Sequence, residues 1–404
     1  ALTELTCQDN QFTSLDLSSN TALITLHCMN NQLTALDVTA NTALTGLYIG
    51  GGSQSQISTL DLSNNTALIS LNTQDIQTLT SLDVSANTAL TDLGCWNNSL
   101  TTLNVNGASS LTYLHCADNQ LTSLDVSSNT ALTNLNCGNN QLTSLDLSAN
   151  TALNTLVCHD NQLTSLDVSA NTALGSFECT ANQITALDLS NNTELSWFKC
   201  GGNQLTTLDV SANTALTILE FYGNQLTSID LSNNTALTNL NCWSNSLTSL
   251  DLSANTALNT LVCHDNQLTS LDVSANTALG SFECTANQIT ALDLSNNTEL
   301  SWFKCGGNQL TTLDVSANTA LTILEFYGNQ LTSIDLSNNT ALTNLNCWSN
   351  SLTSLDVSNN TALIILECHT NQLTSLDLSA NTALTLLHSD GNPLTSLDVS
   401  ANTS

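Results

Sequence analysis

Residues 121–141 are LTSLDVSSNTALTNLNCGNNQ, and residues 142–162 are LTSLDLSANTALNTLVCHDNQ. Both stretches are one copy of a 21-residue unit, and similar units recur along almost all of the 404 residues. Self-similarity at a fixed period indicates a stacked array in which each unit packs against its neighbours. The pattern therefore predicts a solenoid, and it argues against the two or three globular domains that the length alone would suggest.

The apolar residues of the unit predict its local structure. We number each unit from its first leucine, so that residue 121 is at position 1. Apolar residues then fall at positions 1, 4, 6, 12, 15 and 17. The L-x-(V/L/C) core of each half alternates with the two-residue period of a strand, and no helical periodicity is present. This predicts an all-β solenoid of about 19 coils stacked ~4.8 Å apart. Each coil would have two short parallel strands, in two facing sheets, with little or no helix.

Asparagine recurs at positions 9 and 20, where the coil would turn its corners. Backbone N–H and C=O groups leave the strand ladder at a corner and need other partners. An inward-pointing amide can supply both a donor and an acceptor. We therefore interpret both columns as structural; they include Asn129, Asn150 and Asn171 in one, and Asn140, Asn161 and Asn182 in the other.

The motif L-x-x-L-x-C-x-x-N-x-L-x-x-L-D-L-x-x-N, which residues 132–150 carry, resembles the bacterial leucine-rich repeat with two nested half-repeats. It is similar to repeats of secreted or surface proteins of Bacteroidetes-type bacteria and, more distantly, to internalins. The resemblance implies a single leucine-rich repeat solenoid over residues 1–404. It also implies a secreted or cell-surface location and a role in binding a protein or a glycan.

Two features interrupt or extend the regular pattern. Residues 142–246 and 247–351 are identical, which makes them a duplication of five whole units. Extra residues near 49–56 and 73–78 predict irregular loops that project from a corner, with the core resuming at Ile57 and Leu79. Any binding site in the first identical block should therefore recur in the second.

The charge of the chain restricts its partners. It has 33 acidic and only 2 basic residues, a formal net charge of −31. We expect no nucleic acid partner, because phosphate binding needs clustered cations. We also expect no membrane insertion, since no apolar run approaches the ~20 residues of a spanning helix. No signal peptide is recognised, so the expected location depends on the resemblance alone.

The fourteen cysteines all fall at position 17, an inward strand position. Where cysteine is absent, Ile49, Phe221 and Phe326 take its place, and these are core residues. In-register thiols on parallel strands point the same way, which is a poor geometry for disulfides. The C-x-x-C spacing of many zinc sites is missing. We therefore predict that the cysteines are part of the apolar core.

Position 5 is aspartate in eighteen units and lies between two inward residues, so it points outward. Carboxylates ~4.8 Å apart repel by about 0.9 kcal/mol even in water, which predicts that some of their pKa values are raised on folding. The row is interpreted as a solvated face or as a row of weakly bound Ca²⁺, although no calcium-loop motif is present. An ice-binding face is a remote alternative. The candidate metal ligands are Asp125, Asp146, Asp167, Asp188, Asp209, Asp230, Asp251 and Asp272.

Positions 14, 16 and 18 vary from unit to unit and carry aromatic residues against a background of Ser, Thr, Asn and Asp. Exposed aromatic side chains are typical of interfaces. We therefore predict a ligand-binding face whose candidate residues are Tyr113, His115, His159, Glu178, Trp197, Lys199, Glu220, Tyr222, Trp243, His264, Glu283, Trp302, Lys304, Glu325, Tyr327 and Trp348.

Two functions remain open at this point. One is a non-enzymatic adhesion or binding module, secreted or on the cell surface, that recognises protein or glycan through this face. The other is a structural spacer, or a filament built by self-association of uncapped sheet edges. Catalysis is not expected, because no catalytic motif stands out and the carboxylates form one column instead of facing across a cleft. A narrow coil also leaves no room for a cofactor.

Overall fold

The computed structural model describes residues 1–51 and 55–403 and contains two compact units, Ala1–Leu205 and Thr206–Ser404. In the described residues every strand has three residues, and no helix is present. The strands of the first unit are β1 (Glu4–Thr6), β2 (Thr25–His27), β3 (Gly46–Tyr48), β4 (Ser70–Asn72), β5 (Ser81–Asp83), β6 (Asp92–Gly94), β7 (Thr102–Asn104), β8 (Tyr113–His115), β9 (Asn134–Asn136), β10 (Thr155–Val157), β11 (Ser176–Glu178) and β12 (Trp197–Lys199).

The second unit has the same construction. Its strands are β13 (Ile218–Glu220), β14 (Asn239–Asn241), β15 (Thr260–Val262), β16 (Ser281–Glu283), β17 (Trp302–Lys304), β18 (Ile323–Glu325), β19 (Asn344–Asn346), β20 (Ile365–Glu367) and β21 (Leu386–His388).

Strands at positions 14 to 16 of successive coils pair in parallel and in register. In the first unit Leu135 lies opposite Leu156, and Leu156 lies opposite Phe177. In the second, Leu324 lies opposite Leu345 in the same way. The middle residue of these strands points inward and is buried from β2 to β20, whereas Leu5 in β1 and Leu387 in β21 are partly buried. The predicted fold class is confirmed: the chain forms an all-β parallel solenoid of about 18–19 turns of roughly 21 residues. One continuous solenoid domain over 1–404 stays a prediction.

The L-D-(V/L) segment differs from the prediction. Within the described residues it forms strands only at β5 and β7, which pair with Asp83 opposite Asn104. Two full facing sheets were expected, and that expectation is wrong. The exception has a physical reason, because Asn104 Nδ2 donates to Asp83 Oδ1 at 3.2 Å. In other coils two carboxylates of like charge are neighbours, and such pairs destabilise a sheet.

The asparagine at position 20 satisfies the corner that follows the strand. In Asn161, Nδ2 donates to the carbonyl oxygens of Cys137, Cys158 and His159 at 3.1–3.2 Å. Its Oδ1 accepts the backbone N–H of Leu142 at 2.9 Å. The predicted double role of the side chain is therefore confirmed for this column.

The asparagine at position 9 has only half of that role. Asn150 Nδ2 donates to the carbonyl oxygens of Val126 and Asn129 at 3.1 and 2.9 Å. Its Oδ1 is buried and has no hydrogen-bond partner. The prediction that both columns supply an acceptor is therefore wrong at position 9, where the amide serves two carbonyl groups from the preceding coil.

The irregular segment at 73–78 does not project from the corner. Thr73 and Ile76 are both buried, and they take the places of the cysteine and of the position-20 asparagine. Asp75 adopts a φ of 59°, the left-handed turn that Asn139 and Asp160 make at the same position 19 in other coils. The predicted projecting loop is therefore wrong there. In the other loop, Ile49 and Ile57 are buried, and residues 52–54 lie outside the described residues.

The cysteine column lies in the core, as predicted. Thirteen of the fourteen thiols are buried, and Cys7 is half-buried. Burial raises the pKa of the Cys95 and Cys137 thiols to about 12. These side chains are therefore neutral at physiological pH and act as small apolar groups.

Candidate binding face

We call the surface formed by positions 14, 16 and 18 the strand face. Positions 14 and 16 are the outward residues of each strand, and position 18 follows the strand by two residues. Every binding residue predicted from the sequence occupies one of these positions, and so do all five tryptophans of the chain. Tyr113 is 38% exposed, whereas the other predicted residues are partly buried. The expectation of freely exposed aromatic side chains is therefore wrong for most of them.

The rings are partly buried because they stack on one another between coils. In the second unit the Tyr327 and Trp348 rings are 4.8 Å apart and nearly parallel, at 5°. The His369 ring stacks on the other side of Trp348 at 5.2 Å and 7°. Offset stacking of this kind adds to the energy of area burial. Three rings at position 18 of successive coils thus form one continuous stack.

The same stack occurs five coils earlier in the same unit. The Tyr222 and Trp243 rings are 4.9 Å apart, and the Trp243 and His264 rings are 5.1 Å apart. His369 was not predicted, although it stands at position 18 like His264. The signal that could have identified it is the recurrence of Tyr, Trp and His at that position in three consecutive units.

Glycine makes room for the first ring of the later stack. A Cβ atom on Gly306 would lie 2.6 Å from atoms of the Tyr327 ring. Any side chain at position 306 would therefore displace the ring from the strand end. The position of the stack thus depends on Gly306 as well as on the aromatic residues themselves.

Lys304 is bound within the strand face. Its Nζ lies 3.1 Å from Glu325 Oε1 and 4.7 Å from the centroid of the Trp302 ring. In the first unit Lys199 Nζ lies 4.8 Å from the Trp197 ring. Glu283 is the register neighbour of Lys304 on the other side. The charged side chains of this face therefore interact between coils, and two carboxylates, those of Glu283 and Glu325, flank the single ammonium group of Lys304.

The first unit holds smaller clusters on the same face. The Trp96 and His115 rings stack at 4.5 Å, and Tyr113 meets His115 edge-on at 6.4 Å. Burial lowers the pKa of His115. His159 Nδ1 lies 2.8 Å from the carboxylate of its neighbour Asp160. Trp96 was missed from the sequence because it stands alone in its unit.

The aspartates at position 5 lie on the other side of the coil. Asp146 Oδ1 accepts the backbone N–H of Ser148 at 2.9 Å. This bond, followed by that of the Ser148 hydroxyl, lowers the pKa of Asp146, and it outweighs the opposing effects of desolvation and of the neighbouring Asp125 and Asp167 carboxylates. The same direction is found along the column from Asp16 to Asp398. The predicted rise in pKa is therefore wrong, because hydrogen bonds within each coil outweigh repulsion between coils.

Clefts open between successive coils on this side of the second unit. One of them has about 350 Å³ and is lined by Leu250, Asp251, Asp272 and flanking serines, and a similar cleft of about 250 Å³ lies between Asp377 and Asp398. Across the described residues no group of three or more His, Cys, Asp or Glu is placed to hold a metal ion. The calcium row, with Asp125 to Asp272 as ligands, stays a prediction.

Comparison with known proteins identifies the family. A family model for leucine-rich repeats, in two copies, matches residues 109–150. The functional domain of InlJ from Listeria monocytogenes, which includes a cysteine ladder, is 40% identical with a TM-score of 0.73. That match covers 80% of this chain and 71% of the InlJ chain. The chain belongs to the leucine-rich repeat family. This leucine-rich repeat protein also has a column of buried cysteines.

More distant structures share the leucine-rich repeat fold. YopM from Yersinia enterocolitica is 23% identical with a TM-score of 0.78, over 98% of this chain and 88% of YopM. A leucine-rich repeat protein of Leptospira interrogans is 21% identical with a TM-score of 0.72, over 96% of this chain and 95% of that protein. No curated protein sequence matches this one. The described residues include no helix that is long and apolar enough to cross a membrane.

The family narrows the class of function. Leucine-rich repeat proteins are generally non-catalytic scaffolds, and their fold is commonly used for protein binding and recognition. The Bacteroidetes-type origin, the adhesive role and the secreted or surface location stay predictions.

Proposed function

We propose that this chain is a secreted or cell-surface recognition module that binds a protein ligand through its strand face. The observation that carries the proposal is the placement of all five tryptophans and both lysines of the chain at positions 14, 16 and 18. Tryptophan and tyrosine supply much of the binding energy in protein interfaces. The opposite side of the coil repeats one aspartate and has no such variation.

The stacking geometry favours a protein over a glycan. A sugar ring binds an aromatic side chain by lying on its open face. Both faces of Trp348 are covered, by Tyr327 on one side and His369 on the other. The stack therefore offers ring edges and neighbouring polar groups, which suit the mixed contacts of a polypeptide.

The test compares two pairs of substitutions in neighbouring coils of the second unit. Trp302→Ala with Lys304→Ala changes the strand face, and Asp293→Asn with Asp314→Asn is the matched control on the aspartate side. The labelled full chain and both variants are applied to a protein array and to a glycan array. We expect the first pair to weaken protein binding at least tenfold and the control pair to leave it within twofold.

The opposite result would support another function. If the strand-face pair binds the same proteins as the unsubstituted chain, the face is not the recognition surface. The spacer function, which the two identical blocks of five units also suit, would then be favoured.

A further inference from the structure

The second unit carries the same surface patch twice. Each patch has three rows across three successive coils, with an aromatic row at position 18, a polar row at position 16 and a third row at position 14. The two patches differ only at the third coil, in two of these positions. The earlier patch consists of Ile218, Asn239, Thr260, Glu220, Asn241, Val262, Tyr222, Trp243 and His264, and the later one of Ile323, Asn344, Ile365, Glu325, Asn346, Glu367, Tyr327, Trp348 and His369.

We propose that Thr206–Ser404 holds two related sites of different affinity for arginine-bearing polypeptide segments, one at each patch, so that one chain binds two such segments. The proposal rests on the function proposed above and adds the charge of the partner and the number of sites. The patches are five coils apart, which at ~4.8 Å per coil is ~24 Å. A partner that presents its segment twice at that interval would gain from binding both sites at once.

The duplication alone does not account for both complete stacks. Tyr222 and Trp243 are copied as Tyr327 and Trp348 because they lie in the identical blocks. The third ring comes each time from the unit that follows. His264 belongs to the second block, whereas His369 lies beyond it in a unit of different sequence. The same Tyr–Trp–His stack is thus completed by two different units.

The charge of the polar row favours a cationic partner. In the second unit position 16 carries four glutamates, Glu220, Glu283, Glu325 and Glu367, against the single Lys304. Lys304 is already bound to Glu325, and His388, also at position 16, has its Nδ1 3.1 Å from Glu367 Oε1, so an arginine would share these carboxylates with both side chains. Burial, aided by nearby carboxylates including Glu325, raises the pKa of the Tyr327 phenol. The surroundings of the stack are therefore negative, and they attract a positive side chain.

The centre of each patch also has an acceptor without a donor. Asn241 Oδ1 and Asn346 Oδ1 are both buried and have no hydrogen-bond partner. Each asparagine lies in the polar row at position 16, between the position-16 residues of the two flanking coils. The tryptophan of the aromatic row follows it by two residues, as Trp243 follows Asn241. An arginine guanidinium carries five N–H donors, has no acceptor and stacks on aromatic rings. Its charge and its planar ring-stacking surface match a patch made of carboxylates and indole edges, and it could donate to the amide oxygen once the asparagine side chain turns outward.

The later patch adds a spacing requirement. Glu325 and Glu367 lie two coils apart in the same row, which is ~10 Å. A polyproline II segment has three residues per turn and advances ~3.1 Å per residue, so its side chains three residues apart share one face and span about the same distance. The earlier patch has Val262 in the place of Glu367. The later patch should therefore bind a segment with arginine at every third residue about fivefold more tightly.

The experiment uses the full chain and a capped nonapeptide of three Arg-Gly-Gly repeats at 0.15 M NaCl. Stoichiometry and affinity are measured by isothermal titration calorimetry, and the number of bound peptides by native mass spectrometry. We expect two peptides per chain, with the tighter site lost in Trp348→Ala and the weaker one lost in Trp243→Ala. Trp348→Phe keeps an aromatic ring and should retain the later site. Binding by Trp348→Phe together with its loss in Trp348→Ala would show that the ring contributes to recognition.

Two matched controls test the charge argument. Val262→Glu should raise the earlier site to the affinity of the later one, and Glu367→Val should produce the converse. Asp251→Asn with Asp272→Asn removes two charges on the aspartate side and should change neither site. A peptide in which glutamate replaces arginine should not bind.

Several results would overturn the proposal. These are a single site, no binding, two sites that survive both tryptophan substitutions, or equal losses in the aspartate-side control. In that last case the peptide responds only to net charge. If the array experiment still shows that strand-face substitutions abolish protein binding, the proposed function stands and only the paired cationic sites fail.

Discussion

The two sides of each coil use polar groups differently. On the aspartate side Asp146 is satisfied within its own coil by Ser148, and the same arrangement recurs at Asp167 and Ser169. On the strand side the contacts join different coils, as in the Lys304–Glu325 pair and the Tyr327–Trp348 stack. A side chain whose hydrogen bonds are all made inside its own repeat can recur in every coil, because it needs no particular residue in the next one. The contacts between coils on the strand face involve different residues in different coils, and such variation is what a recognition surface requires.

The asparagines at the two corners of the coil differ in the number of their hydrogen bonds, and this difference predicts the largest effect. Asn161→Ala removes a side chain with four hydrogen bonds at the strand-side corner, whereas Asn150→Ala removes one with two. Leaving buried backbone groups unpaired costs about 1–3 kcal/mol. We expect Asn161→Ala to lower the free energy of unfolding by about 3 kcal/mol and Asn150→Ala by about 2 kcal/mol, measured by urea denaturation. Equal losses would contradict a stronger role for the strand-side corner.

The stability of the chain in acid tests whether hydrogen bonds lower the pKa values of the position-5 aspartates on folding. The pKa values of the position-5 aspartates are lower in the folded chain than in the unfolded chain, where they lie near ~3.9. Their contribution to stability is therefore fully present above about pH 4 and is lost as the pH falls through the lower folded values. We expect the thermal midpoint to fall steeply below about pH 4. A midpoint that is highest in mild acid and declines toward pH 7 would instead restore repulsion as the dominant effect.

The paired strands β5 and β7 allow the effect of like charges to be tested, because Asn104 can be replaced by aspartate opposite Asp83. Asn104→Asp removes the hydrogen bond to Asp83 and places two like charges opposite each other. We expect a loss of stability below about 1 kcal/mol, since the site is at the surface. Hydrogen exchange should be faster at the Val84 amide, which donates to Asn104 O at 2.9 Å. Asn104→Ser, which removes the amide without adding charge, is the control.

The smallest expected effect concerns cations on the aspartate side. If Ca²⁺ occupies the row, millimolar CaCl₂ should raise the thermal midpoint by more than NaCl of the same ionic strength. The carboxylates already accept hydrogen bonds, so we expect a rise of no more than about two degrees. Identical midpoints in the two salts would leave the row as a solvated face.

Much of the fold could be predicted because its determinants recur in every unit. The inward places of Leu135, Leu156 and the cysteines follow from apolar spacing alone, and they are confirmed by burial. The second sheet was wrongly predicted because L-D-V alternates like a strand. Alternation does not reveal that carboxylates of like charge would lie opposite each other in neighbouring coils. Positions 14 and 16 do lie outward on the strands, while their role in binding stays a prediction. The stacking of the rings was not foreseen, since ring contacts depend on glycine at 306 and on the next coil.

The period, the core columns and the variable face follow from the amino-acid sequence, because these properties lie within 21 residues and repeat. The three-dimensional contacts are needed to see which segments pair as strands, in which direction the aspartate pKa values shift, and which rings cover one another. Each of these depends on atoms a few ångströms apart. A hydrogen bond of 2.9 Å has a larger effect on the pKa of Asp146 than a carboxylate in the next coil, and the spacing of residues in the sequence does not give either distance.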